Sequence, residues 1–325
     1  MNDLHPGDIV LSAVLRLLPS VYGTAQAKME RRLSAFLKPR LAALQRHENE
    51  SPEDYRDRLL AAFRGPRWTL VKHSIAADFF QANSRATEYI NSNLEQAFMA
   101  GFNESAYVLS GMGADMLPMT VAVVGTLAAD GLLKLQKRRM KKGKDTAYNA
   151  KRADTAVKNA VLQGLTPEEI PGHASRIMAK HRYEEMVAAA RAYIYGASDE
   201  GAYYAGIEAE KQGLDVEKTW LAIMDMRVRP SHKHLHGTTV PIDTPFMSYH
   251  GPMRFPHDPK GHPAEIYRCR CRMAVHLAGK SPGEYSRRLL PTQTSEYRRW
   301  RDAQIKRFGS ELELARIHWQ RLKAG

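Results

Sequence analysis

An α+β protein dominated by helix is the fold class this sequence predicts, and three observations carry it. Apolar residues in the first 133 positions recur at spacings of three and four, the period of one helical face. Between Trp220 and Val275, prolines at 230, 241, 245, 252, 256, 259 and 263 forbid a continuous helix and leave short strands and ordered loops. Past residue 278, basic residues interleave with aromatics in a helical tail. The expected organisation is therefore a helical N-terminal region (1–133), a basic junction (134–158), a small mixed α+β domain (159–278) and a basic helical C-terminal tail (279–325).

Each element has a local reason. Met29, Leu33, Phe36, Leu37, Leu41 and Leu44 line one helical face, and Pro39 should kink or divide that helix. Ser51-Pro52-Glu53-Asp54 reads as a helix start, with a hydroxyl cap, proline in the first turn and acids at the positive end. Ile90, Leu94, Ala97, Phe98, Gly101 and Phe102 form a second face, whose glycine suits close helix packing. The apolar run Met116–Ala129 has 14 residues, short of the roughly 20 that span a bilayer, so a buried helix is expected and stable membrane association is not. Thr166-Pro167-Glu168-Glu169 is a capping box. Pro171 and Gly172 should keep its helix short, with a long helix following from about Ala174 to Lys211 and Gly213 as its stop. Cys271 to Leu277 alternates well enough for a final strand.

Of the 325 residues, 43% are hydrophobic and 26% charged, which excludes a disordered chain and implies more than one domain. The net charge of +13 favours a polyanionic partner. It is concentrated: residues 134–158 hold 10 basic against 2 acidic side chains, and 279–325 hold 11 against 5, so the rest is nearly neutral. Lys137, Arg138, Arg139, Lys141, Lys142 and Lys144 in the junction, with Arg298, Arg299 and Arg301 in the tail, are the candidate phosphate contacts for non-specific DNA binding. Tyr285, Tyr297, Trp300, Phe308 and Trp319 could stack on bases, although packing a helix is the commoner use of such residues. The first residues carry Asp3, His5 and Asp8 rather than a basic segment before an apolar one, so no secretory signal is expected.

The chemistry gathers late in the chain. Six of the 13 histidines and both cysteines fall between 232 and 271. Zinc favours imidazole and thiolate in sets of four, and Cys269-x-Cys271 on a strand would present two ligands from one face. Asp225, His232, His236, Cys269 and Cys271 are thus the candidate ligands of one structural zinc. The alternative is two small buried thiols and loop histidines that hydrogen-bond locally. Pro230 and Gly237 bracket His232 and His236 too tightly for a hydrolase metal helix, and neither a phosphate-binding glycine loop nor a serine nucleophile elbow is present.

Trp220-Leu221-Ala222-Ile223-Met224-Asp225-Met226-Arg227-Val228-Arg229-Pro230-Ser231-His232, followed by Leu235-His236-Gly237, Phe255-Pro256-His257-Asp258-Pro259, Ala264-Glu265-Ile266 and Cys269-Arg270-Cys271, resembles the phage Mu F-like minor head proteins, also called head morphogenesis proteins. With its helical lead-in the resemblance covers roughly residues 145–278. The chain departs from the family pattern in having Arg191-Ala192-Tyr193 for R-T-E, Asp199 for a common Asn and Arg268 before the Cys-Arg-Cys. The resemblance implies a non-enzymatic minor capsid protein of a tailed phage or prophage. Such a protein would join the portal vertex, and possible scaffold or major capsid partners, in the host cytoplasm during assembly. It would then reside in the head interior or at the portal vertex beside packaged DNA. The alternatives are a metal-dependent nuclease using the His/Asp/Cys cluster, which needs an open metal position, and a non-catalytic DNA-binding module.

Overall fold

The computed structural model describes residues 5–280 and 291–323; Tyr285, one of the candidate stacking aromatics, lies outside them. The chain is α+β: helices with a few short antiparallel strands. It divides into two compact units that are not contiguous in sequence. One comprises Met1–Val14, Ile90–Lys137 and Ala188–Gly325, the other Leu15–Tyr89 and Arg138–Val187. The compact units thus cut across the boundaries that charge and composition suggest, because α1 (Asp8–Leu37) and α8 (Ile170–Glu210) each contribute turns to both, and α4 (Gly65–Ser92) ends just past the division.

The second unit is all helix. Met29, Leu33 and Leu37 of α1 are buried in the expected stripe. Pro39 does divide the helix, giving a 3-10 turn at Lys38–Arg40 and a short α2 (Leu41–Leu44). By length and composition Asp8–Leu44 is apolar enough to cross a membrane, a profile that buried core helices share. In α3 (Pro52–Ala62) Ser51 Oγ accepts from Asp54 N at 3.0 Å, the cap its sequence announces. α4 and α7 (Lys142–Leu162) are joined by Trp68 Nε1 donating to Asp154 at 3.0 Å. A buried polar chain runs from Tyr22 through Asn83 to Asp145 and Arg182.

Helix α8 is one 41-residue helix, not a short one followed by a long one. Glu169 accepts from Thr166 N at 2.9 Å as a capping box requires, but Pro171 then falls in the first turn. There its missing N–H has no helical partner to lose, and the helix continues.

The first unit surrounds a mixed core. α5 (Leu94–Gly111), α6 (Val121–Ala129) and the later turns of α8 share it with a three-stranded antiparallel sheet of order β2–β1–β5. The strands are β1 (Val216–Leu221), β2 (Thr239–Pro241) and β5 (Arg272–Leu277); β3 (Phe246–Ser248) and β4 (Gly251–Met253) form a separate hairpin. Trp220, Phe246, Phe255, Phe98 and Phe102 are fully buried there. The Met116–Ala129 run is buried on one face only: Met116, Leu117, Val123 and Leu127 line this core, while Val121 is 70% exposed. α5 and α8 cross so closely that a Cβ on Gly101 would lie 1.7 Å from Ser198 O, and one on Gly201 2.0 Å from Phe98 O.

The basic tail is part of this core. α11 (Ser295–Phe308) begins on a Thr294 cap and ends at Gly309 in the left-handed region. α12 (Glu311–Lys323) buries Leu314, Ala315 and His318. Trp300 donates to Ser110 Oγ at 3.0 Å, and Trp300, Phe308 and Trp319 pack against the core. These aromatics are structural anchors.

Candidate metal centre

The cysteines sit where the chain enters β5. Cys269 and Cys271 are both buried, and Cys271 N donates to Cys269 Sγ at 3.3 Å. Across from them, α9 (Pro230–Leu235) starts at a proline and presents His232 from its first turn. His232 Nδ1 lies 3.5 Å from Cys269 Sγ and 3.3 Å from Cys271 Sγ. His232, Cys269 and Cys271 thus offer three ligand atoms, all within 4.8 Å of one another and all buried. A cavity of about 20 Å³ adjoins them, lined also by Ile223, Val228, Arg227, Arg229, Arg268 and Arg270, with room for about one small ion or water.

The opposite edge of the His232 ring is fixed. Nε2 lies 2.8 Å from Glu265 Oε2, and Glu265 also accepts from Ser231 Oγ at 2.8 Å and pairs with His250 Nδ1 at 2.6 Å. Burial raises the pKa of Glu265, yet His250, Ser231 and His232 outweigh it and hold it below the ordinary carboxylate range. Glu265 itself comes from α10 (Pro263–Ile266), capped by His262.

A second carboxylate lies behind the thiols. Asp199 of α8 is buried between His257, whose Nδ1 is 2.9 Å from Oδ2, and His5, whose Nε2 is 3.3 Å from Oδ1. His5 stacks on Tyr195 at 3.8 Å, and Tyr195 donates to Asp8, which ties His5 and Asp8 to α8. The His257 ring lies beside the Cys269 thiol. Two non-glycine residues here have positive φ, His257 at 61° and Arg268 at 60°. Such backbone is uncommon for side chains of this size and concentrates at functional positions. Gly196 makes room for this loop, since a Cβ there would meet His257 O at 3.1 Å.

Of the five candidate ligands, the structure brings together His232, Cys269 and Cys271, and not Asp225 and His236. Asp225 faces out and pairs with Arg270 at 2.7 and 2.8 Å, which holds its carboxyl near 2. His236 is exposed and spends Nδ1 accepting from Ala222 N at 3.1 Å. His5, Asp199 and Glu265 escape sequence reasoning because they lie far from the histidine-rich stretch or carry no ligand pattern. Asp199 has one signal, standing where the resembled family commonly has Asn. Burial pushes the Cys269 thiol up to about 11, so this cysteine is no free thiolate nucleophile at neutral pH.

The basic candidates are mostly free of the core. Lys137, Arg139, Lys141, Lys142, Lys144 and Arg298 are exposed, whereas Arg138 is half-buried and bonded to Thr87. Arg299 and Arg301 are paired with Glu296 and Asp302.

An α+β domain whose loops converge on a buried His/Cys/carboxylate cluster is what the sequence signature belongs to. Residues 151–274 match the family described as Phage Mu protein F like protein, and this stretch of the chain is Mu F-like. That family suggests a phage head morphogenesis protein, structural rather than enzymatic, located in the virion head. The chain is also similar to the NAD(+)--arginine ADP-ribosyltransferase EFV of Enterococcus faecalis, at 34% identity over 79 residues. The match spans 23% of this chain and only 15% of that protein. No solved structure matches.

Proposed function

We propose that this chain is a minor head protein that docks at the portal vertex during procapsid assembly and lies against packaged DNA. The observation that carries the reading is the Mu F-like match over residues 151–274, in the region that also holds the buried His/Cys cluster. The similarity to an ADP-ribosyltransferase spans too little of that enzyme to bring its activity here. The Mu F-like stretch serves assembly, and scaffold or major capsid protein are further partners of the same process.

DNA contact rests on charge. Exposed Lys137, Arg139, Lys141, Lys142 and Lys144 lie within eight consecutive positions, enough to neutralise several phosphates without reading sequence. Arg299 and Arg301, paired with neighbouring acids, contribute less.

The test is co-expression with a portal protein from the same phage or prophage, followed by size-exclusion chromatography and mass measurement. A stable complex is expected. Absence of a complex at both low and moderate salt would remove portal docking. Charge reversal at Lys141, Lys142 and Lys144 should lower DNA affinity and flatten its salt dependence, and an unchanged salt slope would remove the DNA contact.

A further inference from the structure

We infer that His232, His257, Cys269 and Cys271 form a closed zinc site, with Glu265 and Asp199 as the carboxylates that orient its two imidazoles. This set differs from the one composition suggests: His257 takes the place of Asp225 and His236.

Spacing is the first argument. Zinc–sulfur bonds of about 2.3 Å and zinc–nitrogen bonds of about 2.0–2.1 Å, opened to the tetrahedral angle, set a sulfur and a nitrogen roughly 3.5 Å apart. His232 Nδ1 lies at 3.5 and 3.3 Å from the two sulfurs. Both nitrogen–sulfur separations therefore match what a shared tetrahedral ion imposes, and the two sulfurs lie within 4.8 Å of each other.

The fourth ligand follows from the donors left over. His257 Nδ1 is committed to Asp199, so Nε2 is the atom the ring has left to offer. That nitrogen is buried without a hydrogen-bond partner, as Nε2 of His5 is; the ring acts electrostatically on the neighbouring Cys269, while its ligand atoms group most tightly with His5 and Asp199. An orphaned buried imidazole nitrogen is costly unless something binds it. His257 adopts a left-handed backbone in this loop, where a glycine would be easier.

Both imidazoles repeat one device. His232 turns one nitrogen to the thiols and the other to buried Glu265; His257 likewise sets one nitrogen on buried Asp199 and leaves the other without a partner. A metal-bound histidine commonly gives its second N–H to a carboxylate, which fixes its tautomer and orientation. The N–H of Cys271 on Cys269 Sγ supports a thiolate in the same way.

A competing cluster, His5–Asp199–His257, fails on proton bookkeeping. His5 Nδ1 accepts from Gly7 N at 3.0 Å, which leaves the ring's proton on Nε2, the nitrogen that faces Asp199. A metal there would have to displace that proton. His5 therefore steadies Asp199, and the ion belongs among the thiols.

The test is the metal content of the purified full chain, with cobalt uptake as its spectroscopic counterpart. One equivalent of zinc per chain is expected. Chain produced in cobalt-supplemented medium should show the strong visible bands and thiolate charge-transfer absorption of a tetrahedral S2N2 site. His257→Ala and Cys271→Ser should lose the metal, while Asp225→Ala and His236→Ala keep it. Asp199→Asn and Glu265→Gln should weaken zinc affinity by about 10- to 100-fold. A folded wild-type chain that takes up neither metal, or an octahedral cobalt spectrum, would overturn the site. Zinc held undiminished by folded His257→Ala would overturn the fourth ligand. Because the cobalt spectrum is read on the wild-type chain, the site stays testable where ligand variants do not fold.

Discussion

Two buried polar clusters hang from helix α8 nine residues apart, and they solve the same problem in opposite ways. Glu208 pairs with His318 Nδ1 at 2.7 Å and Arg321 at 3.0 Å, while His318 gives its other nitrogen to Pro118 O at 3.3 Å. Its charges close on one another. Around Asp199 and Glu265 the carboxylates also hold imidazoles, yet His232 turns its far nitrogen toward two thiols that bring no opposite charge, and the far nitrogen of His257 is buried without a partner. One cluster is complete as protein; the other has the donor set of a cation site. Burying charge is tolerable only when it is paired, and the pairing partner can be a side chain or an ion.

The largest expected effect breaks both clusters together. Asp199 and Glu208 flank Gly201, where α8 meets α5 with backbone against backbone. Gly201→Val would drive Cβ into Phe98 O and Phe102 N, and neither can move as a flexible side chain would. We expect a loss above about 4 kcal/mol, the range of severe core disruption, or no folded protein at all. Circular dichroism and gel filtration check it, and a wild-type melting temperature would show that the crossing yields.

Next comes a change that touches one cluster only. Glu208→Ala leaves His318 and Arg321 without their carboxylate in a buried site, at a cost of about 3–5 kcal/mol by analogy with broken buried pairs. Urea unfolding measures the loss, and zinc content should stay at the wild-type level. Zinc falling in parallel with stability would mean that the two clusters are not independent.

How much of this was legible differs between the clusters. Cys269, Cys271 and His232 stand out in the sequence because their residue types are rare and closely spaced, and the structure gathers them. The other partners are long-range. Glu208 meets His318 across 110 residues, and Asp199 meets His257 across 58, and no local period announces either pair. Asp225 and His236 illustrate the converse error. They sit beside His232 in sequence, but the turns around them point one toward Arg270 and the other toward the backbone of Ala222. The same limit governs the fold. Ser51 and Pro39 act locally and read correctly, whereas Pro171 reads as a helix break and is harmless, because its effect depends on which turn it occupies.

The pH response should separate the clusters further. Burial raises the pKa of Glu208, but His318 and Arg321 outweigh it and leave it below the ordinary value of 4.5. A carboxyl with a lowered folded pKa binds fewer protons folded than unfolded, so its stabilisation is present above 4.5 and is lost as pH falls through the folded pKa. The stability of the wild-type chain minus that of Glu208→Gln should be flat from pH 7 to about 5 and shrink below. A difference that stays constant down to the acid transition would assign the Glu208 contribution to packing instead of charge.

The smallest effect is the sharpest test of which carboxylate belongs to the site. Asp225 lies within the histidine-rich signature, and its pair with Arg270 has good bidentate geometry, but Asp225 is 39% exposed. Water and salt screen such pairs, so most contribute little. Asp225→Ala should therefore leave both the urea midpoint and the zinc content unchanged. Asp199→Asn, at a carboxylate 3% exposed, keeps shape and volume while removing the charge that fixes the His257 tautomer. It should lower zinc affinity while the fold holds. Equal zinc affinity in these two variants would mean that Asp199 has no orienting role, and the distinction between the self-paired cluster and the ion-seeking one would then rest on the thiols and His232 alone.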